Sequence, residues 1–181
     1  ELQEESIALT MEGTANLFIR TYHMTDTPEQ ICAEVNSLME RHYRADVPLK
    51  PGAAAFLERM KQAGFQMCIA SSTNPVLIDI CLRRLGVRDY FEFLLSCEEV
   101  GEGKNRPTVY LEAARRLGGT PENTVIFEDI LVAAQTAKQA GFSLGVIYDI
   151  NSDAEQEQLK ALADCHFNRW DDPAPAAWLG V

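Results

Sequence analysis

Apolar and polar positions along this chain follow two textures that meet near residue 49. Through residues 1–48 the apolar positions Ile7, Leu9, Met11, Leu17, Phe18 and Tyr22 recur at a spacing nearer 3.6 than 2, which predicts helix. A second helix is expected from Thr27-Pro28-Glu29-Gln30, where a capping hydroxyl, a first-turn Pro and acidic or amide groups stand together. Its apolar face carries Ile31, Val35, Leu38 and Met39, and it should end near Arg44, ahead of Asp46-Val47-Pro48. After Pro51-Gly52, short apolar runs alternate with amphipathic stretches. Helices are predicted over 53–63, 75–85, 108–117, 130–140 and 154–163, with Gly64, Gly86, Gly118 and Gly141 as natural stops. Residues 65–70, 91–97, 124–127 and 144–148 read as buried strands, and 165–167 as a last short one. The tail from Asp171 reads as irregular, with Trp178 packed back on the body. Strands separated by crossover helices predict an α/β fold, a doubly wound parallel sheet.

Composition narrows the function classes. Sixteen Lys and Arg against 27 Asp and Glu give a net charge of −11. That argues against nucleic-acid binding, because phosphate backbones select clustered cations. With 46% hydrophobic and 24% charged residues the chain is globular. No apolar run approaches the ~20 residues of a membrane span. The five cysteines, Cys32, Cys68, Cys81, Cys97 and Cys165, form no Cys-x-x-Cys pair. Cys68, Cys81 and Cys97 sit among apolar neighbours, as buried thiols do. A cytoplasmic location is expected, since reduced thiols persist there and residues 1–6 lack the basic start of a signal peptide. Neither pattern nor composition specifies an oligomeric state.

In open α/β sheets ligands gather beyond the carboxyl ends of the strands. After 65–70 come Ser71-Ser72-Thr73-Asn74, ahead of Pro75. Three hydroxyls and an amide at a helix N-terminus can hold an anion; one of them can equally serve as an N-cap or Ser/Thr turn. After 91–97 a Gly-containing loop leads to Lys104. Lys104 can reach a phosphate oxygen as a mobile point charge, or be solvated as most lysines are. The loop is not a P-loop, because Glu98 stands where that motif needs its first Gly. After 124–127 come Glu128 and Asp129, either an oxygen-ligand pair for a hard cation such as Mg²⁺ or an acidic helix start. Together, hydroxyls, a Lys and a carboxylate pair at successive strand ends form an electrostatic kit for phosphoryl transfer. His23, His42 and His166 have no zinc-like spacing and read as structural or exposed.

These residues carry a resemblance to the haloacid dehalogenase (HAD) superfamily, in its β-phosphoglucomutase-like phosphatase and phosphomutase branch. Ile69-Ala-Ser-Ser-Thr-Asn74 resembles the family's second motif, which implies Ser71 as the phosphate-binding hydroxyl and Ser72 and Asn74 in the adjoining phosphate loop. Val100-Gly-Glu-Gly-Lys104, followed by Pro107 to Gly118, resembles the third-motif segment, with Lys104 as its Lys. Val125-Ile-Phe-Glu-Asp129, followed by Ala134 and Ala137 to Gly141, resembles the fourth, with Glu128 and Asp129 on the Mg²⁺ side. Val47 to Gly52 resembles the junction where a helical cap returns to the core. Residues 1–48 are then part of a cap, and 49–181 a HAD-like Rossmannoid core lacking its first strand. Departures are Asn105 to Thr108, where the third motif continues into Pro and Asp, and Ile130, where the fourth has Ser.

The family's first motif is Asp-x-Asp near the N-terminus, with a nucleophile and then a general acid/base. No Asp-x-Asp occurs between residues 1 and 181. The resemblance therefore implies a preceding segment, or another chain, that supplies it. By the same analogy its strand is central, between 65–70 and 124–128. Without it, buried backbone groups would go unpaired and a cavity would open, unless the sheet closes up and those two strands pair directly. The function implied is a Mg²⁺-dependent phosphatase or phosphomutase of small phosphorylated metabolites such as sugar phosphates, inactive without the Asp pair. The alternative is a non-catalytic HAD-like module that binds a phosphorylated ligand or a protein partner. A receiver-type signalling domain fits less well, since its acidic pair comes first and its hydroxyl and Lys last.

Overall fold

The computed structural model describes residue 6 and residues 9–181. Ile7, the first apolar position of the predicted helical segment, lies outside the described residues. Two helices open the described chain, α1 (Met11–Tyr22) and α2 (Pro28–Ala45). Thr10 caps α1 by accepting from the Gly13 amide at 3.1 Å. Thr27 starts α2 through a full capping box: its hydroxyl accepts from Gln30 N, and Gln30 Oε1 accepts from Thr27 N at 2.7 Å. The two helices pack on each other, and α2 packs on core helix α4 (Pro75–Arg84). The expected apolar face of α2 is only partly covered. Ile31, Val35 and Met39 are half-buried, and Leu38 is 48% exposed. Arg84 on α4 pins the exit of this hairpin, donating Nε to Tyr43 O at 2.7 Å and Nη2 to Val47 O.

The rest of the chain alternates helix and strand as expected. In order these are α3 (Ala53–Gln62), β1 (Ile69–Ser71), α4, β2 (Leu94–Ser96), α5 (Cys97–Val100) and α6 (Thr108–Arg116), then β3 (Val125–Glu128), α7 (Leu131–Gln139), β4 (Ser143–Ile147), α8 (Gln156–Leu162), β5 (Cys165–Phe167) and α9 (Pro173–Leu179). Every strand pair is parallel, so the α/β class holds.

The sheet, however, is split. β1 pairs with β2, and β3, β4 and β5 pair in that order. Among the described residues no strand pairing joins β1 to β3. Between them lies a cavity of about 800 Å³, walled by Ile69 and Ala70 on one side and Ile126 and Phe127 on the other, with Phe56 and Trp170 also facing it. The closed-up sheet considered above is therefore wrong: among the described residues, one flank of β1 and one flank of β3 keep no strand partner.

The split also shortens the strands. Only Ile69–Ser71 of the region at 65–70 is strand. The segment before it makes isolated contacts, such as Glu92 N to Met67 O at 2.8 Å, because a ladder runs on one side only. Residues 91–97 keep strand only at Leu94–Ser96, since Ser96 caps a short helix by accepting from Glu99 N at 3.0 Å. The tail is not irregular: Asp172 accepts from Ala174 N at 2.9 Å and Pro173 opens α9. Trp178 does pack back, against Phe127 with ring centroids 6.3 Å apart. In place of a helix over 154–163, a 3₁₀ segment (Ile150–Glu155) precedes α8.

The main core is built from small and aromatic residues in alternation. Ala113 and Ala114 on α6, and Ala134 and Ala137 on α7, are almost wholly buried; they let α6 lie close on β1 and β2, and α7 on β4 with its Leu144 and Val146. Gly145 must be glycine, because a Cβ there would stand 2.5 Å from the Phe127 ring. Phe127 in turn meets Phe56, Phe167, Trp170 and Trp178 edge-on. Among the described residues no helix is long and apolar enough to cross a membrane.

Candidate functional site

The carboxyl ends of β1, β2 and β3 carry the expected residues. At β1, Ser71 ends the strand, and its Oγ accepts from Thr73 N at 3.1 Å. Asn74 Oδ1 accepts from Val76 N at 2.9 Å and caps α4, with Pro75 in the first turn. Locally these are a Ser turn and an N-cap. The Ser71 hydroxyl still has a proton to give, since a hydroxyl donates as well as accepts. Ser72 Oγ donates to Cys97 Sγ at 3.5 Å, joining the end of β1 to the end of β2.

Lys104 is not a solvated surface lysine. Its side chain is 16% exposed, and Nζ donates to Glu128 Oε1 at 2.5 Å. Burial alone would lower its pKa, but the charge and hydrogen bond of Glu128 outweigh burial and raise it. Glu128 ends β3 with 4% of its side chain exposed. Its Oε1 also accepts from the Tyr110 hydroxyl, on α6, at 2.8 Å. A buried carboxylate is thereby paired and hydrogen-bonded, as burial of a charge requires.

Asp129 follows at once and is half-buried. Burial and the adjacent Glu128 charge raise its pKa, while Lys50 works the other way. Lys50 Nζ lies 3.5 Å from Asp129 Oδ2 and 2.7 Å from Asp149 Oδ2. The Lys50 hydrogen bond is the main reason that the Asp149 carboxyl falls below its usual range.

The structure thus joins Lys104, Glu128 and Asp129 in one cluster. No hydrogen bond or ion pair among the described residues links Ser71 or Asn74 to that cluster. Ser72 approaches it through Cys97, whose thiol is near enough to act on the Lys104 charge. Three residues of the cluster escaped the sequence analysis: Lys50, Tyr110 and Asp149. Asp149 had a signal, since it directly follows the strand at 144–148. Tyr110 had none, because its position only marks the buried face of a helix.

The oxygens fit a hard cation in part. Glu128 and Asp129 are adjacent, and the raised pKa of Asp129 marks a carboxylate short of positive charge. Among the described residues no group of three or more His, Cys, Asp or Glu converges as a complete metal site. A cation there would draw further oxygens from elsewhere. Chemically the cluster offers one fixed ammonium, one fixed carboxylate and one carboxylate with spare affinity for positive charge, and its Glu128 lines the open slot between β1 and β3.

A family model described as haloacid dehalogenase-like hydrolase matches residues 9–141. The phosphorylated carbohydrates phosphatase of Thermotoga maritima is 28% identical over 137 residues, covering 75% of this chain and 63% of that protein. The protein CbbY of Rhodobacter capsulatus is 28% identical over 135 residues, covering 73% of this chain and 52% of that protein. The chain thus spans about half to two thirds of the length of these relatives. Among solved structures, CbbY from Rhodobacter sphaeroides in complex with phosphate superposes with a TM-score of 0.80 at 23% identity, covering 99% of this chain and 82% of that one. The β-phosphoglucomutase of Clostridium difficile gives 0.74 at 16% identity, covering 94% and 75%. At those identities the likeness is one of fold.

Proposed function

This chain belongs to the haloacid dehalogenase-like hydrolases, and from that premise we propose that it forms the phosphate- and metal-binding half of a Mg²⁺-dependent phosphatase or phosphomutase. Its substrate would be a small phosphorylated metabolite such as a sugar phosphate. The carrying observation is the buried Lys104–Glu128 pair beside Asp129, with Glu128 lining the slot between β1 and β3. Residues 1–48 would serve as part of a helical cap, and 49–181 as the core. The five free cysteines suit a reducing cytoplasm.

The family resemblance suggests the roles, and the Lys104–Glu128 geometry supports part of them. Ser71 gives its spare proton to a phosphoryl oxygen, and Ser72 and Asn74 shape the loop around it. Lys104 neutralises phosphoryl charge; Glu128 holds its ammonium in place and keeps it protonated. Glu128 and Asp129 hold Mg²⁺, which when bound supplies positive charge against the phosphoryl oxygens. The attacking carboxylate and the acid/base would come from an Asp-x-Asp strand seated in the slot, which residues 1–181 do not themselves contain. Residues 1–181 without such a strand bind and do not turn over. The non-catalytic alternative, a module that holds a phosphorylated ligand or partner, rests on the absence of Asp-x-Asp from those residues.

The test is hydrolysis of p-nitrophenyl phosphate, with Mg²⁺ and with EDTA, by a form in which an Asp-x-Asp strand precedes residue 1. Mg²⁺-dependent turnover that is lost in Lys104→Met supports the reading. No turnover from a folded protein overturns it in favour of the binding module.

A further inference from the structure

Glu128 receives two donors on one oxygen. Lys104 Nζ and the Tyr110 hydroxyl both reach Oε1, at 2.5 and 2.8 Å. Oε2 accepts no hydrogen bond among the described residues, yet it is not one of their fully buried, unpartnered side-chain atoms, so it keeps some access to solvent. The carboxylate is therefore asymmetric, with one oxygen spent and one in reserve.

Tyr110 is built to impose that asymmetry. It is 1% exposed, and its ring meets Phe142 edge-on at 6.3 Å. The Lys104 ammonium lies over its face, 6.0 Å from the centroid. One aromatic side chain thus touches both members of the ion pair. Phe would fill the same space. The phenol costs desolvation at a fully buried position unless it is paired, so its O–H has a specific partner to serve.

We propose that Tyr110 is a positioning residue. It fixes the rotation of the Glu128 carboxylate so that Oε2 is presented to a cation or to a water bound to one. The identity of that cation rests on the function proposed above; the orientation rests on the two hydrogen bonds alone.

The experiment is Tyr110→Phe, which keeps the ring and removes the O–H. Two readouts are needed: Mn²⁺ affinity by electron paramagnetic resonance, and the Glu128 orientation in a crystal structure of the variant. Far-UV circular dichroism checks that both proteins are folded. The expected result is about a tenfold or greater weakening of Mn²⁺ binding, the range found when groups supporting a metal ligand are removed, with Glu128 rotated or in two orientations. Unchanged Mn²⁺ affinity with Glu128 in place overturns the proposal, whatever happens to melting temperature. If the wild-type chain itself binds no Mn²⁺, the metal part of the proposed function fails. Tyr110 is then judged on orientation alone: a Glu128 that turns in the variant supports it, and one that stays overturns it.

Discussion

Gly52 lies so close to Asp171 that a Cβ on it would stand 2.3 Å from the Asp171 backbone nitrogen. The contact ties the junction where the helical hairpin enters the core to the loop before α9. Gly52 also holds φ at +83°, a left-handed conformation that L residues adopt at a cost. Two penalties therefore meet at one residue. Gly52→Ala should lose about 1–2 kcal/mol for the conformation and about 1–3 kcal/mol for overpacking against backbone. For a chain of this size that is a fall in Tm of roughly 4–20 °C. Gly64 supplies the control, since it holds φ at +85° and a Cβ there would meet no atom within 4 Å. Gly64→Ala should show the conformational part alone. Equal losses in the two variants would show that the Asp171 contact carries no weight.

The Lys104–Glu128 pair allows a stability test independent of any activity. Lys104→Met leaves a buried carboxylate with Tyr110 as its remaining donor, and removing one partner of such a pair costs about 3–5 kcal/mol. Lys104→Met combined with Glu128→Gln removes the orphaned charge and should recover much of that loss in urea unfolding. The pH dependence has a definite sign. Lys104 is raised above its unfolded value, so its contribution is present in full below the ordinary lysine pKa and is lost as pH rises through the higher folded value. Met at 104 should flatten that alkaline loss. A double variant as unstable as the single one would mean that packing of the lysine stem, not charge, holds the site.

Asp129 carries the same sign, in the acid range. Its folded pKa is raised, so the folded chain binds more protons than the unfolded one between the ordinary carboxylate pKa and the folded value. Stability must then fall as pH rises through that window. Asp129→Asn removes the charge that burial and Glu128 disfavour, so it should raise Tm at neutral pH while weakening Mn²⁺ binding. A stabilising change that impairs function is what a strained binding residue produces. Thermal melts from pH 3 to 8 decide it: an Asn variant less stable than wild type at pH 7 would sink the argument.

Legibility in the sequence followed the kind of signal each element carries. Thr27-Pro28 and the Gly stops announced helices, because capping and left-handed turns are local. The residues at strand ends were found because parallel topology places ligand groups there. Strand lengths were not legible: 65–70 has six apolar-rich positions, yet extends as strand only where β2 lies beside it. Pairing is a property of neighbours, not of the run itself. Ser96 and Asp172 were readable caps hidden by their surroundings, a strand end in one case and a Pro/Ala-rich tail in the other. Tyr110 was illegible because a buried helix face asks for bulk, and only the fold shows that its hydroxyl meets Glu128.

The slot between β1 and β3 sets the last prediction. Among the described residues each of these strands has a flank without a strand partner, and the walls of the cavity between them are largely apolar, from Ile69 and Ala70 to Ile126 and Phe127. A strand entering there would pair on both sides at once and cover Phe56 and Trp170. Each large apolar side chain it buries is worth about 1.5–3 kcal/mol, and ordering each of its residues costs about 1–2 kcal/mol of backbone entropy. The backbone bonds that it completes add about 0.5–1.5 kcal/mol each. The balance is favourable only for a segment apolar enough to fill the slot. A five-residue Val/Ile/Leu-rich segment fused ahead of residue 1 through a Gly/Ser linker should therefore raise Tm. It should also slow amide exchange at Ile69–Ser71 and Val125–Glu128, and suppress binding of the dye ANS to the exposed cavity. A Ser/Asn segment of equal length is the control. Protection that appears with both segments would reflect the linker, and protection with neither would mean that β1 and β3 do not accept a strand.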